Sequence, residues 1–540
     1  MKPTLQLGGV GTNGTSDMAM GGGLQGAQTL DRALATWSPD LRPIDALIGP
    51  GKELLDARSR DMTMNDGFVG SAQTLTQDSI VGTQFVLNAT PNAKMLGVEP
   101  DSAWVEEFQS VVENRFNVLG DSNRNWFDAQ RVKNFTDIVR LAVGQFVVRG
   151  EVLAVAEWER SPERPFKTAV QMANPDRLSN PNDMEDTVNI RRGVARNPSG
   201  APQAYWIRKA HRFSPYAAAQ TYEWARVEAY LPWGRSQVLH IFEQQEADQS
   251  RGIAQMVSVL KEMRMTRKYR DIVLQNAVIN SMYAAAVESE LPADVVFGQL
   301  GSTANPDVNT PVMQYMQGLM AYVGEANGLR LDGAKIPHLY PGTKLKMIPA
   351  GQIGDTKYEQ SLLRHLAAAF GMSYEEFSRD FSQTNYSSAR AAMMMSWRHM
   401  TSKKRKAADG TARWIYDLWL EEQINAGEVP MPPGMTAADF YKPGVREALT
   451  CSTWIGAARG QIDEGKETDA AIARIGAGLS TREDELARLG KDWRIVIPQL
   501  AREQRLLEKH KVVLDTAPRA VAPADPTVDQ RPGDPAAPAQ

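Results

Sequence analysis

Few residues in this chain are of a type and spacing that could carry chemistry. Gly9, Gly11 and Gly14 spell G-x-G-x-x-G, a turn that lets a backbone approach a pyrophosphate, but that use needs a strand before it and a helix after it. Lys2-Pro3 precedes it and more glycines follow, so a flexible arm is the better reading. No G-x-x-x-x-G-K-[ST] loop, H-E-x-x-H pair or G-x-S-x-G elbow occurs. Cys451 is the single cysteine; it would act as a nucleophile only beside a base, and a free cysteine is ordinarily a small buried apolar residue. His240 lies in a strand-like run, and His365 and His399 lie on expected helices, where packing or surface roles are the plain expectation. Glu375-Glu376 and Glu421-Glu422 are adjacent carboxylates, which on a helix point about 100° apart and do not converge on one atom. No enzyme activity, cofactor or metal site is expected.

Two basic groups remain as possible DNA-facing or intersubunit surfaces. Lys261, Arg264 and Lys268 share one helical face at i, i+3, i+7, with Arg267 and Arg270 beside them, and Lys403-Lys404-Arg405-Lys406 form a compact cluster. A solvated or intersubunit helix face is the plainer reading of each. Neither has the setting of a base-reading motif.

These residues must be positioned by an α+β, mostly helical fold. Residues 30–60 read as helical, and 68–86 mix helix and strand signals around Gly82. Apolar runs at 138–148 and 152–158 flank Arg149-Gly150-Glu151, and a strand-rich part with asparagine-proline turns extends over 145–242. Between Gly252 and Pro292 no proline or glycine interrupts a helix-spaced apolar pattern; a helix over 252–290 would span about 58 Å. A small α/β insert follows over 291–350, then a helix over 355–370 closed by Gly371. Ser373 and Glu376 make a local capping-box pattern, residues 377–388 read as a loop, and a long helix follows from 387 or 388 to 426 with a break near Asp409-Gly410. Short helices fill 437–513, one opened by a Ser480/Glu483 capping box and stopped by Gly490, another beginning at Pro498.

Composition bounds the partners. The chain has 540 residues, 60 Lys+Arg against 64 Asp+Glu, and a net charge of −4, too little positive charge to coat nucleic acid. No apolar run reaches the roughly 18 residues of a membrane span, and the first residues lack the apolar stretch of a signal peptide. One cysteine excludes an intrachain disulfide and suits a reducing interior. The first 26 residues hold eight glycines, and the last 24 hold six prolines and seven alanines, so both ends read as disordered.

One ordered set of motifs organises the rest. Gly371-Met372-Ser373 through Asp380 to Asn385-Tyr386-Ser387-Ser388-Ala389-Arg390, then Trp397-Arg398 and Trp419-Leu420, resembles the tailed-phage portal proteins of the lambda family. Arg149-Gly150-Glu151, Asn174-Pro175-Asp176, His240-Ile241-Phe242 and Gln249-Ser250-Arg251-Gly252 occur in the family's order. One departure is 244–249, where the family's usual Arg-Pro-Gly-Gln reads Gln244-Gln245-Glu246-Ala247-Asp248-Gln249.

The resemblance implies a portal fold with wing, stem, clip and crown regions around a central channel. It divides the chain into a flexible arm (1–29), wing (30–251), first stem helix (252–290), clip (291–350), second stem helix (351–370), tunnel loop (371–388), long wing helix (389–436), crown (437–515) and disordered tail (516–540). It implies a ring, usually of twelve subunits, at the capsid vertex of a virion assembled in the host cytoplasm. Its partners would be the terminase large subunit, the major capsid protein, a head-tail connector and double-stranded DNA passing without sequence preference. No membrane is involved. Glu375, Glu376, Arg379 and Gln383, with Asn385 and Ser387 beside them, would line the channel at the tunnel loop. Over twelve copies the net charge would reach about −48, a field that lets DNA slide instead of gripping it. The alternative from another class is a DNA-processing packaging enzyme, a terminase or nuclease component, which would need a phosphate loop or metal-binding carboxylates. A capsid-shell scaffold would not explain two long helices around a small insert.

Overall fold

The computed structural model describes Thr36 and residues 39–283, 356–382, 384–458 and 464–510. The expected arm, the insert at 291–350 and the tail from 516 lie outside the described residues.

In chain order, α1 (Ile44–Asn65) and α2 (Gly67–Ile80) are joined at Asp66, whose carboxylate caps α2 by accepting from Phe68 N at 3.0 Å and Val69 N at 3.2 Å. Strand β1 (Val86–Ala89), α3 (Ala103–Gly120) and α4 (Phe135–Arg149) follow; Asn134 caps α4, and Gly150 ends it in the left-handed region at φ 75°. Strands β2 (Glu151–Trp158), β3 (Thr168–Ala173), β4 (Ile190–Arg191), β5 (Val194–Arg196), β6 (Pro202–Arg208), β7 (Trp224–Glu228) and β8 (Val238–Phe242) make two antiparallel sheets, ordered β3-β2-β8 and β4-β5-β6-β7. Beyond them come α5 (Leu260–Tyr283), α6 (Thr356–Phe370), α7 (Tyr374–Ser378) and α8 (Tyr386–Lys403). A π-turn at Lys404–Ala408 joins α8 to α9 (Asp409–Asn425). The chain then runs through α10 (Val445–Leu449), β9 (Ser452–Ile455), α11 (Glu464–Gly476), α12 (Arg482–Arg488) and α13 (Trp493–His510).

The core is aromatic. The ring of Phe116 lies 4.9 Å from those of Phe127 and Phe135 and 5.2 Å from Trp419, and Trp454 stacks on Phe85 at 5.7 Å. Helix α9 is wrapped on most sides, burying Trp414, Ile415, Tyr416, Leu418, Trp419 and Leu420, as expected of a helix apolar almost all round. A second apolar cluster, with Leu153, Val155, Leu178, Tyr205 and Ile207, joins the two sheets.

Several sequence expectations are corrected. The first described helix begins at Ile44, after Pro43; residues 30–35, 37 and 38 of the expected helix lie outside the described residues. The long helix expected from 252 starts at Leu260 behind a 3-10 turn at Gln255–Val259, because Gly252 is packed against backbone. The expected Ser373/Glu376 capping box is present and opens the one-turn α7, which takes Phe377 and Ser378 out of the expected loop. The irregularity in the long helix falls at 404–408, before Asp409. Helix α12 is capped by Thr481 with Asp484, one residue beyond the expected pair, and Pro498 lies inside α13 instead of opening it. A strand among the C-terminal helices was not foreseen: β9 pairs antiparallel with β1, Leu87 opposite Trp454.

Candidate functional site

The densest polar chemistry among the described residues lies where α1, β2, β8 and the approach to α5 meet. Glu151, the first residue of β2, is fully buried. Its carboxylate accepts from Arg251 (Nη2 at 2.6 Å, Nε at 3.0 Å), from Gly252 N at 3.1 Å and from the neutral His240 ring at 3.1 Å, and Lys52 Nζ lies 3.2 Å away. Arg251 uses every donor it has, since its remaining N–H groups reach the carbonyls of Leu178 (2.8 Å), Arg192 (3.0 Å) and Pro175 (3.0 Å). Lys52 also bonds Asp56 at 2.7 Å, and Arg149 pairs with Asp176. Beside them Asp45 accepts from Ser250 N and Oγ at 2.8 and 2.7 Å and from Arg191 at 3.1 Å.

Burial alone would push Glu151 up, but Arg251 and Lys52 outweigh it and hold its carboxyl well below the usual range. Burial keeps the pKa of His240 low, so it stays neutral and donates to the carboxylate. Two glycines make this closeness possible. A Cβ on Gly150 would lie 2.1 Å from the Ile253 carbonyl, and one on Gly252 would lie 2.2 Å from Gly150 O. The Arg149-Gly150-Glu151, Asn174-Pro175-Asp176, His240-Ile241-Phe242 and Ser250-Arg251-Gly252 pieces thus meet at one hub. In the sequence alone they stand as ordered motifs without a common location. The signal available was a set of charged residues embedded in apolar or glycine-bounded runs, where an unpaired charge would be untenable.

The residues expected at the tunnel loop are largely engaged locally. Glu376 accepts from Ser373 N at 3.1 Å and from the Ser396 hydroxyl of α8, and Glu375 accepts from the Thr384 hydroxyl at 3.3 Å. Arg379 is exposed and closes α7 at φ 60°. Asn385 caps α8 by accepting from Ser388 N at 2.9 Å, and Ser387 is exposed beside it. Gln383 lies outside the described residues. Glu376 and Arg379 line a cavity of about 350 Å³ between α2, α8 and α11, with Arg390 and Trp397.

Of the basic groups, Lys261, Arg264 and Lys268 lie exposed along α5, whereas Arg270 turns inward to Glu359 of α6 at 2.7 Å. The cluster at 403–406 is split by the π-turn. Arg405 and Lys406 are exposed, but Lys404 bonds Asp409 at 2.8 Å. Lys403 is buried, donates to Phe370 O at 3.2 Å and is pushed down to about 8 by burial. The paired carboxylates of α9 diverge. Glu421 is buried and accepts from Trp233 Nε1 at 3.1 Å and Arg446 at 3.2 Å, whereas Glu422 accepts from Lys167 N at 2.7 Å and Thr168 N at 2.8 Å. Cys451 donates to Glu447 O at 3.2 Å, His365 is exposed, and His399 packs against Gly371. Among the described residues no His/Cys/Asp/Glu group could hold a metal ion, and no helix is long and apolar enough to cross a membrane.

The buried ionic hub thus ties α1, β2 and β8 to the approach to α5. The chain belongs to the lambda family of phage portal proteins, whose model matches residues 30–404. It is 34% identical over 485 residues to the portal protein of Escherichia phage N15, covering 89% of each chain. It is also 34% identical over 472 residues to portal protein B of Escherichia phage lambda, covering 87% of each. A solved structure of the neck of a native gene transfer agent particle covers 82% of this chain and 99% of its own at 14% identity and a TM-score of 0.40, a likeness that carries no argument.

Proposed function

We propose that this portal-family chain assembles into a ring, of twelve copies, at the unique vertex of the virion, and serves as the conduit for double-stranded DNA during packaging and ejection. The observation that carries the proposal beyond family membership is the return of α6 alongside α5. Arg270 bonds Glu359 at 2.7 Å, and the rings of Tyr269 and Tyr358 lie 5.5 Å apart. Two helices side by side, with residues 284–355 between them in sequence, are what a stem with a clip at its far end requires. On this reading 30–251 and 389–436 are wing, 371–388 the tunnel loop, and 437–515 the crown.

A conduit must not bind its cargo. The small negative net charge of the chain suits that task, because each phosphate neutralised by a basic wall would add affinity and slow sliding. The clip would dock the terminase motor during filling and a head-tail connector afterwards, and the wing would meet the capsid protein. Particle images of the purified full chain test the ring: a perforated disc supports it, and a monomer with nuclease or ATPase activity overturns it. Deletion of 305–345 should leave subunit folding intact and abolish motor binding; retained binding would remove the clip assignment.

A further inference from the structure

The C-terminal helices bury little of themselves. Among residues 464–510 the only buried side chains are two carboxylates, Glu485 and Asp492. Glu485 is neutralised within the segment by Arg474 at 2.8 Å and Arg488 at 2.8 Å. Polar ties to the rest of the molecule gather where α12 and α13 meet α3 and β1. Arg494 of α13 bonds Gln109 of α3, and its Nε lies 3.4 Å from Glu113 of α3. Glu483 of α12 accepts from Asn88 of β1 at 2.8 Å. Gln109 and Glu113, one helical turn apart, are themselves tied to Ala89 of β1 at 2.8 Å each.

We propose that residues 464–510 are a separately fastened unit, held by an ionic latch in which Glu113 and Asp492 share the guanidinium of Arg494 with Glu483 beside them, and that ionisation of Glu113 and Asp492 loosens it. The charge count carries this: one cation shared by two acids, with a third acid beside them, leaves the closed latch short of positive charge once Glu113 and Asp492 ionise. The groups facing Glu113 are Arg494 and Asp492 from the start of α13, Glu483 from α12 and the buried phenol of Tyr416 from α9, while β1 supplies only a backbone N–H. Burial pushes Glu113 up to about 7 against the pull of Arg494, and burial likewise raises Asp492. Opening would return both to water and to ordinary values. A value raised in the closed state favours closure on the acid side, and the advantage is lost as pH rises through about 7. The latch is thus tightest below neutrality.

Hydrogen exchange on the assembled full chain, corrected for intrinsic rates, tests this in peptides covering 86–89 and 482–497. Opening should increase about tenfold from pH 6 to pH 8 if Glu113 alone titrates. Glu113→Gln should reduce that dependence to within about twofold, and Arg494→Met should speed exchange at both pH values. Should Glu113→Gln misfold, Asp492→Asn is the second variant and should weaken the dependence. Equal protection at both pH values, or the same change in peptides of α4 and β2, would overturn the proposal.

Discussion

Glu151 and Glu113 are both buried glutamates beside an arginine, yet their environments drive them in opposite directions. Glu151 has Arg251 and Lys52 within 3.2 Å, a donated imidazole and a backbone N–H, and its carboxyl is held well below the usual range. Glu113 has one arginine at 3.4 Å and two other acids nearby, and is raised to about 7. Burial pushes both up, so the number of compensating charges decides the outcome. The same pair of residue types is a fixed joint in one place and a loose one in the other.

The comparison can be broken most forcefully at the hub. Glu151→Ala leaves Arg251 and Lys52 buried without their counter-charge, and should cost about 3–5 kcal/mol, read as a fall in denaturant midpoint. A loss below about 1 kcal/mol would mean the hub is not a joint at all. Arg494→Ala should cost roughly 1 kcal/mol, confined to 464–510, since that guanidinium is partly exposed and only one ion pair is at stake. The pH responses should separate likewise. The contribution of Glu151, whose native value is depressed, is present above the ordinary carboxylate range and lost only as pH falls through that depressed value, so from pH 6 to 8 the hub changes only through His240, which is held neutral and adds a small gain in stability as pH rises, opposite in sign to the latch. The smallest effect is that of salt. From 0.1 to 1 M the screening length shrinks from about 10 to about 3 Å, which should weaken the repulsion among the latch acids and leave the enclosed hub alone, seen as a smaller difference in exchange of 482–497 between pH 6 and pH 8.

The order of elements was legible because local chemistry punctuates it: Gly150 and Gly371 end helices in left-handed geometry, and Asn134 opens one. Phase and partner were harder. A long apolar pattern from 252 could not reveal that Gly252 is clasped by Gly150, a contact between residues a hundred positions apart. Ser480/Glu483 and Thr481/Asp484 fit the same capping spacing, and only the fold selects the second pair. Strand β9 is four residues long and takes its form from pairing with β1, more than three hundred residues earlier. The basic run at 403–406 looked like one patch because sequence adjacency hides helical direction; the structure divides it between core and solvent.

That division follows from the π-turn, which also sets the rotational bookkeeping of everything beyond it. A five-residue hydrogen-bonded turn carries one residue more than an α-helix of the same rise, so α9 is offset from α8 by about 100° relative to an unbroken helix. Removing a single residue from 404–408 would let the two helices fuse into one continuous screw. The faces of Trp414, Tyr416 and Trp419 would keep their pockets, because the turn already absorbs that residue; straightening the helix with the residue kept is what would swing them out by about 100°, a frame error expressed in angle instead of sequence.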